Sequence, residues 1–235
     1  MPTALITGAS RGLGAATADA LARRGWDLVI DARDGLALQA AVHAWGHVDG
    51  EVTALHGDVA LPQHRSELAA VVARIGRLDL LMNNASALGP SPLPPLAELP
   101  TDTLTDLFQV NVVAPLALTQ LLLPSLRATG GAIINVSSDA AVEPYAGWGG
   151  YGASKAALDQ LTAILAAEVP ELDVYAVDPG DMRTTMQQAA FPDEDTSDRP
   201  EPGSVVPALL RLLGERPPSG RYRAVALLTV SEVLG

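Results

Sequence analysis

Tyr151 and Lys155 are the residues whose chemistry and spacing are most informative in this chain of 235 residues. They stand four positions apart in a helix-like segment, so both side chains fall on one helix face. A phenol with an ordinary pKa near 10 exchanges protons poorly at neutral pH. A cation about 4 Å away favours phenolate by up to about 4 kcal/mol at an effective dielectric of about 20. The pair therefore predicts a tyrosine acid or base whose pKa the lysine lowers.

The same spacing also occurs on helix surfaces that have no chemical role, but a glycine-rich segment near the start of the chain supports the chemical interpretation. Residues 3–7 read as a buried strand that runs into Gly8, Gly12 and Gly14 and then an alanine-rich helix. These glycines permit a tight turn, a close approach of backbone to a pyrophosphate and close helix packing. The spacing Thr-Gly-x-x-x-Gly-x-Gly differs from the usual G-x-G-x-x-G fingerprint. It nevertheless predicts a phosphate cradle at a helix N-terminus.

These motifs resemble those of the short-chain dehydrogenase/reductase family, and they occur in the same order along almost the whole chain. The other matching segments are Asp58-Val59, Asn83-Asn84-Ala85, Asn111, Ser138 and Pro179-Gly180. Ser138 precedes Tyr151 by 13 residues, which is the usual family spacing. The resemblance implies an oxidoreductase that transfers hydride from a nicotinamide to a ketone or aldehyde, or in reverse from a secondary alcohol. The implied catalytic residues are Asn111, Ser138, Tyr151 and Lys155, with Tyr151 as the general acid.

The resemblance also implies a set of contacts with the dinucleotide. The implied cofactor-binding residues are Gly8, Ser10, Arg11, Gly12, Leu13, Gly14, Arg33, Asp58, Val59, Asn84, Ala85, Tyr151, Lys155, Pro179, Gly180 and Thr184. Among them, Asp58 would accept from the adenine amino group and Thr184 would bond to the nicotinamide carboxamide. Ser86 stands where the family usually has a glycine, so the cofactor would meet a bulkier wall or an extra hydroxyl.

Cofactor choice depends on the end of the second strand, which reads Asp31-Ala32-Arg33. A general rule takes an acidic residue about 20 positions after the glycine loop as the ligand of the ribose 2′-hydroxyl, and Asp31 can be read in that way. The resemblance instead puts Ala32 at the position that selects NAD and Arg33 where relatives hold a cation for the 2′-phosphate. Arg11 is a second guanidinium suited to phosphate. We therefore expect NADP(H) to be preferred, with NAD(H) possible.

Apolar runs alternate with helical stretches, which predicts a single α/β domain of the Rossmann type. Its doubly wound parallel sheet of about seven strands would have helices on both faces, and the 48% hydrophobic content is ample for that core. We place strands near 3–7, 27–32, 51–56, 78–82, 131–136, 173–177 and 222–228, and the longest helices near 101–127 and 150–168. The cofactor half would span about residues 1–135 and the catalytic and substrate-loop half about 136–235. The two long helices resemble those through which relatives pair, which predicts a homodimer or homotetramer.

Composition excludes several other classes. The chain has no cysteine, so it has neither a disulfide framework nor a thiolate site. A net charge of −12 argues against a nucleic-acid partner. His43 and His47 lack a third ligand, so no metal site is expected. The most apolar stretch, residues 116–126, is shorter than the ~20 residues of a membrane-spanning helix, and no export signal is evident, so a cytoplasmic location is expected.

Two proline-rich loops, residues 88–100 and 191–203, are the predicted wall and lid of a substrate cleft, because each follows a strand end at the ligand-binding edge of such a sheet. The tentative substrate contacts are Leu88, Tyr145, Trp148, Met182, Met186 and Phe191. They favour an apolar or aromatic carbonyl or alcohol as the small-molecule substrate. Two alternatives remain open, a reductase of C=N or activated C=C bonds and a non-catalytic NADP-binding sensor. A sensor would usually have lost part of the catalytic set.

Overall fold

A seven-stranded, wholly parallel sheet forms the centre of the computed structural model, which describes residues 1–229. Its strands are β1 (Thr3–Ile6), β2 (Asp27–Ala32), β3 (Val52–His56), β4 (Leu80–Asn83), β5 (Ala132–Val136), β6 (Asp173–Asp178) and β7 (Gly220–Arg223). The spatial order is β3-β2-β1-β4-β5-β6-β7. The chain reverses its direction of winding between β1 and β4, and in such sheets ligands bind beyond the strand ends at that point.

Helices cover both faces of the sheet. They are α1 (Gly12–Ala22), α2 (Gly35–Ala44), α3 (Pro62–Ile75), α4 (Thr101–Phe108), α5 (Ala114–Thr129), α6 (Gly149–Glu168), α7 (Thr185–Ala190), α8 (Val206–Glu215) and α9 (Ala224–Thr229). Successive side chains of a strand point to opposite faces, so Ile6 packs in one core with α1, α2 and α8, while Leu5 packs in the other with α3 and α5. The predicted doubly wound α/β fold is confirmed.

The predicted strand at 222–228 is wrong beyond Arg223, because residues Ala224–Thr229 form a helix. The ladder between β6 and β7 pairs Tyr175 with Gly220 at one end and Asp178 with Arg223 at the other. Since β6 ends at Asp178, residues beyond Arg223 have no strand to pair with. A short apolar run does not reveal by periodicity whether it is strand or helix, and here it forms α9, which packs on α8.

The predicted long helix at 101–127 is two α-helices joined by a π-helical turn, Gln109–Val113. Asn111 lies in this turn and is buried. By length and composition alone, the run Thr101–Thr129 is apolar enough to cross a membrane, which the shorter stretch at 116–126 is not. Part of it is core in this fold, since Leu118 and Leu122 of α5 pack beneath the sheet.

Candidate active site

A cavity of about 580 Å³ lies at the carboxyl ends of the strands and holds most of the predicted site. The predicted residues that line it are Gly8, Ser10, Arg11, Gly12, Leu13, Arg33, Asp58, Val59, Asn84, Ala85, Leu88, Ser138, Trp148, Tyr151, Lys155, Pro179, Gly180, Met182, Thr184 and Met186. Gly14, Asn111, Tyr145 and Phe191 are not in its lining. The glycine loop and two arginines line one part of the wall, and the serine, tyrosine and lysine line another.

The glycine loop is held against the end of β4 by the side chain of Asn84. Its Nδ2 donates to the carbonyl oxygens of Thr7 at 2.8 Å and Gly8 at 3.1 Å. A Cβ on Gly14 would lie 2.5 Å from that Nδ2 atom, and Gly8 has a positive φ of 68°. Gly14 therefore acts by letting α1 approach Asn84 closely, and it does not need to touch the cavity.

The start of α1 fits an anion. The helix begins at Gly12, and Arg11 at its N-cap makes no side-chain capping hydrogen bond. The first backbone N–H groups of a helix lack partners within the helix, and here no N-cap side chain satisfies them. Donors of this kind, with the positive end of the helix dipole behind them, suit a phosphate group. The loop therefore has the chemistry that a dinucleotide pyrophosphate needs.

Asp31 lies in the cavity wall, but both of its carboxylate oxygens are already engaged. Oδ1 accepts the backbone N–H of Gly8 at 2.9 Å, and Oδ2 lies 3.0 Å from Nε2 of His64. Asp31 is only 1% exposed, so it is poorly placed to bind ribose hydroxyls. Arg11 and Arg33 are exposed in the same wall, and neither forms a salt bridge within residues 1–229. This geometry favours the arginine interpretation over the acidic one.

Tyr151 and Lys155 lie on the first turns of α6, as predicted, and both side chains are buried. Burial raises the pKa of Tyr151 to about 12, against smaller lowering effects from hydrogen bonds to Ser86 and Ser138. The Lys155 Nζ atom lies 5.5 Å from the centroid of the tyrosine ring. The expected lowering of this pKa is therefore not seen in the protein as folded here, because the loss of solvent around the phenol is the largest effect on it.

Lys155 is fixed by a hydrogen bond from Nζ to the carbonyl oxygen of Val136, at 2.7 Å. Burial lowers the pKa of its ammonium to about 8, and the charge of Asp159 opposes this shift. An ammonium has three donors, and Val136 takes one of them. Lys155 also lines the cavity, so its remaining donors can bind a ligand hydroxyl while its charge acts on the site.

Ser138 is brought beside the tyrosine by close packing of α6 on the turn Asp139–Ala141. Gly152 makes this possible, since a Cβ there would lie 2.6 Å from the carbonyl oxygen of Ala140. The Ser138 hydroxyl donates to Asp139 Oδ1 at 3.0 Å. A serine has a single hydroxyl hydrogen, so Ser138 must turn away from Asp139 before it can donate to a substrate oxygen.

Asn111 is buried behind the cavity wall, and protein groups saturate its amide. Nδ2 donates to the carbonyl oxygen of Ala87 and to Ser154 Oγ, both at 2.9 Å. Oδ1 accepts the N–H of Ala87 at 2.8 Å and the hydroxyl of Ser86 at 3.1 Å. A π-helical turn, Gln109–Val113, surrounds Asn111, and the side chain has no hydrogen-bonding capacity left to bind a water. The amide instead joins the loop after β4 to α6.

The apolar part of the wall contains Leu88, Trp148, Met182 and Met186. Trp148 packs edge-on against Tyr151 with ring centroids 5.6 Å apart, which confirms its predicted position. Two other aromatic residues that were expected to contact the substrate lie outside this lining. The Tyr145 hydroxyl donates to Asp139 Oδ2, and this residue lies half-exposed outside the lining. Phe191 packs on Trp148 at 5.8 Å, so it supports the wall without forming it.

The segment 191–203 is tied down more firmly than its acidic sequence indicates. Gln188 of α7 donates to the carbonyl oxygen of Glu194 and accepts the hydroxyl of buried Thr196. Arg183 pairs with Glu201, and Arg199 lies 3.6 Å from Asp181. Arginines on and beside the segment thus offset its negative charge, an arrangement that the acidic run alone does not reveal.

Thr184 caps α7, because its Oγ1 accepts the backbone N–H of Gln187 at 3.1 Å. Its hydroxyl hydrogen stays available to a ligand in the cavity. The sequence interpretation assigned no role to Asp139, Asp178, Asp181 or Gln187, all of which line the cavity. Asp139 had a usable signal, since it directly follows the predicted catalytic serine. Within residues 1–229 there is no group of three or more side chains that could hold a metal ion.

Comparisons with known proteins agree with this architecture. Residues 2–195 match the family described as short chain dehydrogenase. The uncharacterized oxidoreductase YciK of Escherichia coli K12 is 34% identical over 217 residues, which cover 90% of this chain and 85% of that protein. An alcohol dehydrogenase from Thermococcus sibiricus, in complex with 5-hydroxy-NADP, is 28% identical with a TM-score of 0.84 and covers 95% of each chain.

A structure from Escherichia coli CFT073, described as a short chain dehydrogenase in complex with NADPH, is 31% identical with a TM-score of 0.86. The match covers 95% of this chain and 96% of that one. A family match over most of the chain, a relative of matching length and the superposable folds all agree with the parallel sheet described above. The chain therefore belongs to the short chain dehydrogenase family of oxidoreductases.

Proposed function

We propose that this protein is an NADPH-dependent carbonyl reductase, which in reverse oxidises a secondary alcohol. The observation that carries the proposal is the cavity itself. Ser138, Tyr151 and Lys155 line the same cavity as the glycine loop, Arg11 and Arg33. A ligand that places its phosphates on the loop therefore has its reactive end in reach of a hydroxyl, a phenol and an ammonium.

NADP(H) is the cofactor best supported by the residues present. The uncapped start of α1 suits the pyrophosphate, and the exposed Arg11 and Arg33 suit the additional 2′-phosphate by charge-assisted hydrogen bonds. Asp31, the residue that would favour NAD(H), is occupied by Gly8 and His64. Two structurally similar family members are complexes with NADPH or with an NADP derivative, which supports the same choice.

When bound, the reduced nicotinamide supplies the hydride, and the residues of this chain handle the oxygen of the carbonyl. The pKa of Tyr151, about 12, keeps the phenol protonated at neutral pH, which is the form that a proton donor needs. Ser138 turns its hydrogen from Asp139 to the carbonyl oxygen and orients it. Tyr151 then gives its proton to the developing alkoxide, while the buried ammonium of Lys155 compensates the phenolate that remains.

The substrate is proposed to be an apolar or aromatic ketone. Leu88, Trp148, Met182 and Met186 supply the apolar wall beside the phenol. Trp148 is fixed by packing between Tyr151 and Phe191, so its face is pre-organised to hold a flat or branched apolar group. The acidic Asp139 and Asp181 in the remaining wall disfavour a negatively charged substrate.

The proposal is tested by a panel of ketones, imines and activated alkenes with NADPH consumption as the readout. Turnover of apolar ketones above imines and alkenes would support it. Preferential turnover of imines or alkenes would assign the hydride to a C=N or C=C bond. Tight binding of NADPH without turnover of any compound, by protein that is folded, would replace the enzyme with a cofactor-binding sensor.

A further inference from the structure

Ser86 is a hydroxyl-bearing residue at the position where the family usually has glycine, and it lies in the wall of the active-site cavity. It directly follows Asn84 and Ala85, whose backbone N–H groups both donate to the hydroxyl of Thr7, the residue before the glycine loop. Its Oγ atom donates to Asn111 Oδ1 at 3.1 Å. Ser86, Ser138 and Tyr151 line the same cavity, and hydrogen bonding of Ser86 and Ser138 to the phenol lowers its pKa against the larger effect of burial. A side chain at this position therefore connects the phenol to the buried amide of Asn111.

Asn111 is a rigid acceptor for Ser86. The backbone of Ala87 both donates to Asn111 Oδ1 at 2.8 Å and accepts from Nδ2 at 2.9 Å. This pair of bonds defines which end of the amide is oxygen, because the exchanged orientation would oppose donor to donor and acceptor to acceptor. The π-helical turn Gln109–Val113 and the bond from Nδ2 to Ser154 hold the residue from the other side. The oxygen of the amide thus faces Ser86.

The hydrogen count at Ser86 allows two arrangements. While the single hydrogen of Ser86 is donated to Asn111 Oδ1, the Ser86 oxygen can accept a hydrogen bond from the protonated phenol of Tyr151. After the phenol has lost its proton, the hydroxyl can turn and donate to the phenolate. Asn111 Oδ1 would still accept the N–H of Ala87, so this rotation leaves no buried acceptor without a partner. The cost of an unsatisfied buried group is thereby avoided.

We propose that Ser86 is a further catalytic residue, whose hydroxyl turns between Asn111 Oδ1 and the Tyr151 oxygen and stabilises the phenolate formed during hydride transfer. The inference rests on the proposed carbonyl reduction. In that reaction the phenol O–H bond breaks and a new O–H bond forms on the substrate oxygen, whose carbon takes the hydride of NADPH. Ser86 keeps its own proton throughout and only reorients it. Water returns a proton to Tyr151 before the next turnover.

The test compares Ser86→Ala, which removes the hydroxyl, with Ser86→Thr, which retains it. In alcohol oxidation the rate rises as the phenol ionises, so we expect Ser86→Ala to move the midpoint of the pH profile up by about one unit. The rate below that midpoint should fall about tenfold. Ser86→Thr should restore most of the wild-type midpoint and rate. In both variants the KM for the alcohol should stay within about twofold of the wild-type value. Ser66→Ala on the surface of α3 is the matched control and should change neither.

A second readout does not depend on turnover. Tyrosine labelled with ¹³C at Cζ reports phenol ionisation by NMR, and Tyr151→Phe assigns the signal among the four tyrosines. In the complex with NADP⁺, ionisation of Tyr151 should begin about one pH unit higher in Ser86→Ala than in the wild type. Thermal unfolding by circular dichroism verifies that each variant is folded.

An unchanged NMR titration and an unchanged pH profile in folded Ser86→Ala would overturn the proposal. Equal losses in the Ala and Thr variants would also overturn it, because they would indicate a purely structural residue. Failure of the proposed function has a different signature, since the wild type itself would then turn over no carbonyl, while the NMR shift would still decide whether Ser86 bonds the phenolate.

Discussion

Nε2 of His64 lies 3.0 Å from Oδ2 of Asp31, and both residues are buried beneath the glycine loop. The other oxygen of Asp31 accepts the N–H of Gly8, so the pair holds the first glycine of the loop from below. Space for the imidazole depends on Gly57, because a Cβ there would lie 2.2 Å from Nδ1 of His64. The histidine and the aspartate are thus part of the support of the phosphate cradle.

The first prediction concerns the stability that this pair contributes. The hydrogen bond to Asp31 raises the pKa of His64, and burial raises the pKa of Asp31. The stability due to protonated His64 is fully present below its unfolded pKa of about 6.5 and is lost as pH rises through the higher folded value. We expect His64→Gln to lower the free energy of unfolding by about 2 kcal/mol at pH 6, and by less in alkaline solution.

Denaturant unfolding across this pH range measures the effect. The double variant Asp31→Asn with His64→Gln is the control, since it leaves no buried charge and should lose less than the sum of the single variants. If the difference in unfolding free energy between the wild type and His64→Gln grew with rising pH, protonated His64 would not be the stabilising partner of Asp31.

The second prediction concerns cofactor preference. We expect NADPH to bind at least about tenfold more tightly than NADH, a difference of about 1.4 kcal/mol, because Arg33 and Arg11 bond the 2′-phosphate. Arg33→Ala should remove most of this preference, and Arg24→Ala, a surface arginine of the same charge outside the cavity lining, should not. Calorimetric titration gives both dissociation constants. Equal dissociation constants of the wild type for NADPH and NADH would contradict the role of the arginines and favour Asp31 as the residue that selects the cofactor.

The third prediction separates catalysis from binding. Tyr151→Phe removes only the phenolic oxygen, so turnover should fall by about 10² to 10⁴ while NADPH affinity changes by less than about threefold. Lys155→Met should impair both, because the ammonium serves the phenol and lines the cavity. Tyr222→Phe is the control, because its hydroxyl bonds the carbonyl oxygen of Pro218 and lies outside the cavity lining. A Tyr151→Phe enzyme with more than half the wild-type rate, chemistry being rate-limiting, would remove the phenol from the mechanism.

The fourth prediction concerns Asp139, whose charge raises the pKa of Tyr151 and whose Oδ1 accepts the only hydrogen of Ser138. Asp139→Asn removes the charge and keeps an acceptor. The phenol pKa should fall, so alcohol oxidation at fixed neutral pH should rise by roughly threefold. The pH profile of kcat is the measurement, and Glu143→Gln, which is outside the cavity lining, is the control. A slower oxidation with an unmoved profile would indicate that Asp139 only orients Ser138.

The fifth prediction concerns assembly. Val113, Leu116 and Leu121 on the π-helical turn and α5, and Ile164 on α6, are large apolar side chains that stay exposed in the single chain. Burial of such side chains between copies is favourable, and a closed dimer or tetramer is the expected result. Light scattering should give a mass well above 24.3 kDa at micromolar concentration, and Leu121→Lys should reduce it. A wild type that stays at the monomer mass would reject this prediction.

Much of the fold and of the site can be predicted from the sequence, because the signals are local. A strand, a glycine loop and a helix in direct succession define a phosphate cradle, and positions four apart on a helix place Tyr151 beside Lys155. The alternation of apolar runs with helical stretches was sufficient for the doubly wound sheet.

Contacts between distant segments were not readable in this way. Asp31 was open to two interpretations until His64, 33 positions later, was found to occupy its carboxylate. Lys155 was expected to lower the pKa of Tyr151, yet burial is the largest effect and raises it. Burial depends on how the whole protein packs. Residues Ala224–Thr229 form a helix and do not extend β7, because β6 ends at Asp178 and offers them no partner. Local pattern specifies the backbone and the reactive groups, whereas desolvation and the partner of each buried polar atom depend on which distant residues the fold brings together.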